Sequence, residues 1–179
     1  MALRLRRIAL TAHVSASVGW LGAVAGFLAL AVTGLRSEDP QLTRGAYLAI
    51  ELTTWWVILP FAAASLLTGV VSSLGTTWGL IRHYWVVAKL LITLFSTAVL
   101  VMHVQAIERL GRAAAERVTL SFDLHQAQVM MVVASGAALG ALLVLTALSV
   151  YKPRGLTPYG ARSPRALRAP SDRSFPQIR

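Results

Sequence analysis

The stretch between residues 84 and 102 constrains the fold most, because it is long, apolar and almost uncharged. It reads YWVVAKLLITLFSTAVLVM and contains one charged side chain, that of Lys89. As an α-helix it would be about 28 Å long, close to the hydrocarbon thickness of a bilayer. A helix pairs all of its backbone polar groups internally, which lipid requires. The stretch therefore predicts a transmembrane helix.

Three other apolar stretches predict three more spans. Together the four lie at about residues 8–35, 46–71, 82–103 and 126–151. Of all residues, 56% are hydrophobic and 13% are charged, which is too apolar for an ordinary soluble domain. We therefore expect an all-α, four-helix transmembrane bundle over residues 1–151, embedded in a lipid bilayer as a multi-pass protein.

The first apolar stretch follows a basic start, as the apolar region of a signal peptide does. Its length is well beyond the roughly 7 to 15 residues of such a region. We expect it to be retained as the first transmembrane helix.

The basic residues are concentrated on one predicted side of the membrane. Of the 17 Lys and Arg residues, twelve lie in the N-terminus, around the start of the third span, or in the C-terminal tail. Five lie on the opposite side. Basic residues favour the cytoplasmic side, so both termini are expected to be cytoplasmic and the protein to lie in the plasma membrane.

The C-terminal tail, residues 152–179, is rich in Pro, Arg and Ser and is expected to be disordered. Its charge, which contributes to a formal net charge of +10, is expected to meet anionic lipid headgroups. A nucleic-acid partner is not expected, because the tail has no interleaved aromatic residues and no recognition fold.

Local signals modify the spans and the segments between them. Residues 36–44 form a predicted polar loop, and Pro60 is expected to kink the second span. In residues 104–124, Ile107 and Leu110 are at helical spacing, so an amphipathic helix on the membrane surface is one interpretation.

Two pairs of glycines predict close packing between helices. Gly22 and Gly26 lie on one face of the first span, and Gly136 and Gly140 lie in the fourth. Glycines four residues apart let another helix approach closely. The neighbour could be a helix of this chain, a membrane protein partner or a second copy.

The four histidines form two pairs by predicted depth. His13 and His83 are near the cytoplasmic face, and His103 and His125 are near the outer face. Two facing histidines could bind the iron of a b-type haem. On the outer side, His103 and His125 could instead hold a transition metal with Glu51. The alternative is that all four meet headgroups and water.

Two interpretations of Lys89 stay open. Its long side chain could extend toward the cytoplasmic headgroups. It could instead form a cationic site inside the bundle, since ionisable groups within spans tend to be functional. Glu51 has a similar alternative, because it could pair with Arg44 at the rim.

Three sequence blocks resemble a widespread family of small four-helix bacterial membrane proteins of unknown function. They are HVSASVGWLG at residues 13–22, GTTWGLIRHYWVVAKLLIT at 75–93 and SVYKPRGLTPYG at 149–160. The resemblance implies a fold and a bacterial inner-membrane location but no activity.

His13 followed by Trp20 and Gly22, with Lys89 in a later span, is more distantly similar to copper-resistance-type inner-membrane permeases. That similarity makes His13 and Lys89 candidate binding residues. The chain has half or fewer of the spans of such a permease, and its methionines are not arranged as a copper relay.

No catalytic motif such as GxSxG, HExxH or a P-loop is present in the sequence. The sequence therefore favours a non-enzymatic membrane component or a small subunit of a larger complex, with a b-haem-binding or metal-binding redox or transport protein as the alternative.

The charge distribution predicts the accessibility of introduced cysteines. A single cysteine replacing Ser37 or Ser121 should react with an impermeant thiol reagent added to intact cells, whereas one replacing Ser174 should not. The chain contains no cysteine, so the background is clean. Labelling at position 174 from outside would reverse the predicted orientation.

Overall fold

The structure is a computed structural model that describes residues 3–74, 83–116 and 122–151 together with Thr157. Over these residues it consists of four long helices and contains no sheet: α1 Leu3–Arg36, α2 Pro40–Leu74, α3 Tyr84–Glu116 and α4 Phe122–Tyr151. Each is long and apolar enough to cross a membrane. The all-α architecture with four membrane-spanning candidates is confirmed. The tail predicted to be disordered lies outside the described residues, except for Thr157.

The helices extend well beyond the predicted spans. α1, α2 and α3 have 34, 35 and 33 residues, so each is about 50 Å long, compared with about 30 Å of hydrocarbon. α2 begins at Pro40, where a residue without a backbone donor suits the first helical position. The Asp39 carboxylate caps it, accepting a hydrogen bond of 2.8 Å from the Gln41 amide. The predicted polar loop therefore shrinks to residues 37–39.

Residues 104–116 continue α3 and do not form the separate surface helix suggested by the sequence. Ile107 and Leu110 are each 1% exposed and belong to the same buried cluster as Tyr47 and Ile50 of α2. The amphipathic pattern is present, but α2 covers its apolar face. The helical hairpin of α2 and α3 is therefore most tightly packed at this end.

Pro60 is accommodated by a π turn at Thr54–Ile58. The amide of Leu59 donates to the carbonyl of Thr54, five residues earlier. Proline has no amide hydrogen and crowds the carbonyl four residues before it. A wider turn just ahead of Pro60 relieves both problems, as π turns in helices do.

The arrangement of the helices places α1 and α3 across the bundle from each other. α1 packs along α2 and α4, and α3 packs against the same two helices. α2 and α3 are in close contact in the N-terminal half of α2 and much less so beyond it. Because α2 and α3 diverge, the bundle is open at one end. The start of α1 and the end of α4 lie at the same end.

No other helix of the described chain packs on the paired glycines. A Cβ built on Gly22, Gly26, Gly136 or Gly140 would meet no heavy atom within 4 Å. α1 turns its opposite face inward, with Trp20, Val24 and Phe27 buried. Large side chains on that face bury far more apolar surface than glycines can, which explains the orientation.

Gly34 is one position where another helix approaches α1 closely. A Cβ on Gly34 would lie 2.7 Å from Cζ of Tyr47, whose side chain is 2% exposed. The absence of a side chain at position 34 therefore makes room for the Tyr47 ring between α1 and α2.

The contact between Gly34 and Tyr47 predicts that a glycine-to-alanine substitution has opposite effects at two positions of α1. Gly34→Ala should lower the melting temperature in detergent, because overpacking typically costs about 1–3 kcal/mol. Gly26→Ala adds the same methyl group to open space and should gain up to about 1 kcal/mol of helix propensity. Thermal unfolding followed by circular dichroism measures both, and equal shifts would contradict the packing of Tyr47 on α1.

Candidate functional site

A cavity of about 510 Å³ occupies the end of the bundle where α2 and α3 diverge. It lies between the start of α1, the end of α2, the start of α3 and the end of α4. Its walls are mostly apolar, with a group of polar side chains among them. Those polar side chains are Arg6, His13, Ser17, Ser65, Ser72, Ser73, Lys89, Thr93, Thr146 and Ser149. We refer to it as the inner cavity.

His13 is held against α2 by a hydrogen bond to the backbone. Its Nδ1 lies 3.0 Å from the carbonyl oxygen of Ser65 and 3.3 Å from Oγ1 of Thr68. A carbonyl can only accept, so Nδ1 carries the hydrogen, and Nε2 of the neutral ring is the acceptor or ligand atom. Gly69 provides the space, because a Cβ there would lie 3.0 Å from Cε1 of His13.

Ser17 extends the polar contact between α1 and α2 by one turn. Its Oγ lies 2.8 Å from Oγ of Ser65, the residue whose carbonyl accepts from His13. Hydroxyl groups in apolar surroundings need such partners, because an unpaired polar group is costly to bury. Ser65 thus orients both side chains that α1 contributes at this depth.

Lys89 contributes a cation from the opposite wall. Its Nζ donates to Oγ of Ser149 at 2.7 Å and lies 5.8 Å from the centroid of the Trp85 ring, within cation–π range. The Lys89 side chain thus lines the inner cavity, and its role as a cationic site stays a prediction.

His83 does not join His13 in the wall of the inner cavity. Its carbonyl accepts hydrogen bonds from the amides of Val86 and Val87, and its ring centroid lies 6.4 Å from that of Trp85. A haem with two histidine ligands needs both imidazoles at one cavity. The structure places only His13 there, so the predicted His13 and His83 pair is not assembled.

The residues predicted for an outer metal site are likewise not brought together. His103 donates from Nδ1 to the Val99 carbonyl at 2.7 Å and lines a separate cavity of about 60 Å³, whereas His125 is exposed. Glu51 packs against Gly111 of α3, where an added Cβ would overlap its carboxylate. Within the described ranges, no three His, Asp or Glu side chains are placed to hold a metal ion.

The sequence does not single out several residues of the inner cavity, among them Arg6, Ser65 and Ser149. In the sequence, Arg6 contributes only to the basic N-terminus, and neither serine belongs to a motif. One signal could have found the serines, because polar groups inside apolar spans need partners and such partners lie on neighbouring helices. The remaining information, which helix faces which, requires the fold.

Comparison of the chain with protein-family models, curated proteins and solved structures finds no match in any of the three. The chemistry of the inner cavity is therefore inferred from its own residues.

The group of polar side chains in its wall predicts that the inner cavity contains water. A cysteine replacing Ser17 should react with a small thiol reagent about tenfold faster, or more, than one replacing Thr54, because only a hydrated thiol ionises readily to the reactive thiolate. Thr54 is fully buried and is the matched control. Equal rates in detergent, measured by mass spectrometry, would show that the cavity is closed to water.

Proposed function

We propose that the protein is a multi-pass integral membrane component that binds a small ligand in the inner cavity and does not act as an enzyme. The observation that carries the proposal is the inner cavity itself, in which His13 and Lys89 are each oriented by a hydrogen bond to a neighbouring helix. Its volume of about 510 Å³ is within the usual range for small-molecule sites, about 300–1,000 Å³.

The energetic cost of Lys89 supports a binding role. A lysine at the centre of a span costs about 2.5–3.5 kcal/mol on insertion scales, and such residues usually face a cavity or a partner. Lys89 is shallower, but its Nζ donates to Ser149 of α4 and lines the inner cavity. A ligand that binds to Lys89 would account for a charged side chain at this position.

A hydrolase is the second candidate function, because Lys89 and Ser149 are within hydrogen-bond distance, as in Ser–Lys catalytic pairs. The hydrogen-bond directions favour binding over catalysis. Oγ of Ser149 donates its one hydrogen to the Leu145 carbonyl at 2.7 Å, so Lys89 is the donor in the pair and not the base. Lack of Ser149 labelling by a fluorophosphonate reagent would agree with this assignment.

The proposal includes a membrane orientation. In it the protein lies in the plasma membrane with both termini cytoplasmic, which places the inner cavity on the cytoplasmic side. The support is the asymmetry of basic residues between the two ends of the bundle. The outward glycine faces at Gly22 and Gly26, and at Gly136 and Gly140, are then available to a membrane protein partner or a second copy.

Native mass spectrometry of the purified full-length chain tests ligand binding. We expect a bound small molecule in the wild type that is lost in Thr93→Trp, because the indole fills the inner cavity. Leu94→Trp is the control, since the neighbouring residue is 45% exposed and does not line the cavity. Circular dichroism checks that both variants fold. A wild type without a bound molecule, or equal occupancy in the two variants, would contradict the proposal.

A further inference from the structure

We infer that the ligand of the inner cavity is an anionic amphiphile, a molecule with a phosphate or carboxylate headgroup on an apolar chain. The inference rests on the proposed function, because it names the chemical class of the ligand bound there. Two properties of the lining carry it: an excess of positive charge and an apolar stripe that leads away from that charge.

The described lining is rich in cationic and donor groups. Arg6 and Lys89 are positively charged, and the described residues of the wall include no Asp or Glu. Two cationic side chains that line one cavity repel each other. A bound anion relieves that repulsion, and charge-assisted hydrogen bonds from arginine and lysine to phosphate or carboxylate are among the strongest in proteins.

An apolar stripe on α1 provides the second half of the site. Leu10, Val14, Val18 and Leu21 line the inner cavity and recur every three or four residues, so they form one continuous strip of the helix. Leu10, Val14 and Val18 are more than half exposed, and no other helix of the described chain covers them. The strip leads from the Arg6 end of α1 toward the middle of the bundle.

The positive charge and the apolar stripe lie one after the other along α1, which matches the headgroup and chain of an amphiphile. Arg6 is near the tip of α1, and Leu21 lies fifteen residues later, about 22 Å along the axis. A headgroup held by Arg6 and Lys89 would leave its chain beside Val14 and Val18. A free inorganic anion would use only the charged end, and an uncharged lipid would make no charge-assisted contact with Arg6 or Lys89.

The same headgroup chemistry has two sources: a phospholipid of the surrounding membrane or an amphiphilic acid from the aqueous phase. Both would enter through the end of the bundle where α2 and α3 diverge. The experiment therefore needs one arm for the chemical class of the ligand and another for its source.

The first arm measures the thermal stability of the full-length protein in an uncharged maltoside detergent. Dodecyl phosphate should raise the melting temperature, whereas inorganic phosphate and dodecyltrimethylammonium at the same concentration should not. Lys89→Met should weaken the apparent affinity for dodecyl phosphate about tenfold or more, since it removes a charge-assisted contact, and Lys89→Arg should preserve binding.

Two arginines give a matched control for net charge. Arg6→Gln should weaken binding of dodecyl phosphate, whereas Arg4→Gln, on the same helix but outside the inner cavity, should not. This pair also carries the test if Lys89→Met fails to fold. Equal effects of the two arginine substitutions would mean that the amphiphile binds the basic surface, which would overturn the inference.

The second arm uses nanodiscs of phosphatidylcholine with or without phosphatidic acid. Stabilisation by phosphatidic acid that depends on Arg6 identifies a membrane lipid as the source, and stabilisation only by added dodecyl phosphate identifies a soluble acid; both outcomes support the inference. Equal stabilisation by inorganic phosphate would overturn it. A neutral molecule found by native mass spectrometry would overturn the ligand class and leave the proposed function intact, whereas no bound molecule in any arm would overturn both.

Discussion

The need to pair polar groups in surroundings without water governs this structure. Several hydroxyl groups in the described helices donate to the carbonyl four residues earlier in the same helix, as Thr54 does to Ile50 and Ser135 to Met131. Such bonds satisfy the hydroxyl without joining two helices. Side-chain hydrogen bonds made by His13, Ser17 and Lys89 join neighbouring helices at the inner cavity. Polar connections between helices are thus present where the packing is most open, and Arg44 makes another at the opposite end by donating to the Ala115 carbonyl.

The two ends of the bundle are held together by different forces. At the end where α2 begins, Tyr47, Ile50, Ile107 and Leu110 form an apolar contact with little space left, and Gly34 makes room for the Tyr47 ring. At the other end, hydrogen bonds hold α1 to α2 and α3 to α4 around a cavity. Apolar packing fixes the relative positions of the helices, and the polar end is then free to have a gap that a close-packed core would not tolerate.

The number and approximate positions of the spans could be predicted from the sequence, because insertion into lipid depends on length and composition alone. The inward face of α1 could not. Lipid is as apolar as a protein interior. The helical wheel of α1, with glycines on one side and Trp20 on the other, therefore does not indicate which side contacts lipid. The same limit explains why His13 and Lys89 could be named as candidates while Ser65 and Ser149 were missed. Their roles depend on which helices are neighbours, and that information is in the tertiary packing.

The π turn before Pro60 has a consequence for the register of α2. Its buried positions recur every four residues: Ala46, Ile50, Thr54, Ile58 and Ala62. An α-helix completes a turn in 3.6 residues, so positions four apart shift gradually around the helix axis. In an uninterrupted α-helix, Ala62 would therefore be rotated about 160° from the direction of Ala46. The π turn contains one extra residue, which compensates for about 100° of that rotation. Ser65 and Gly69, which follow the turn, therefore face His13 because of a proline one to three turns earlier in the helix. Pro60 does not line the inner cavity, yet it determines which residues of α2 do.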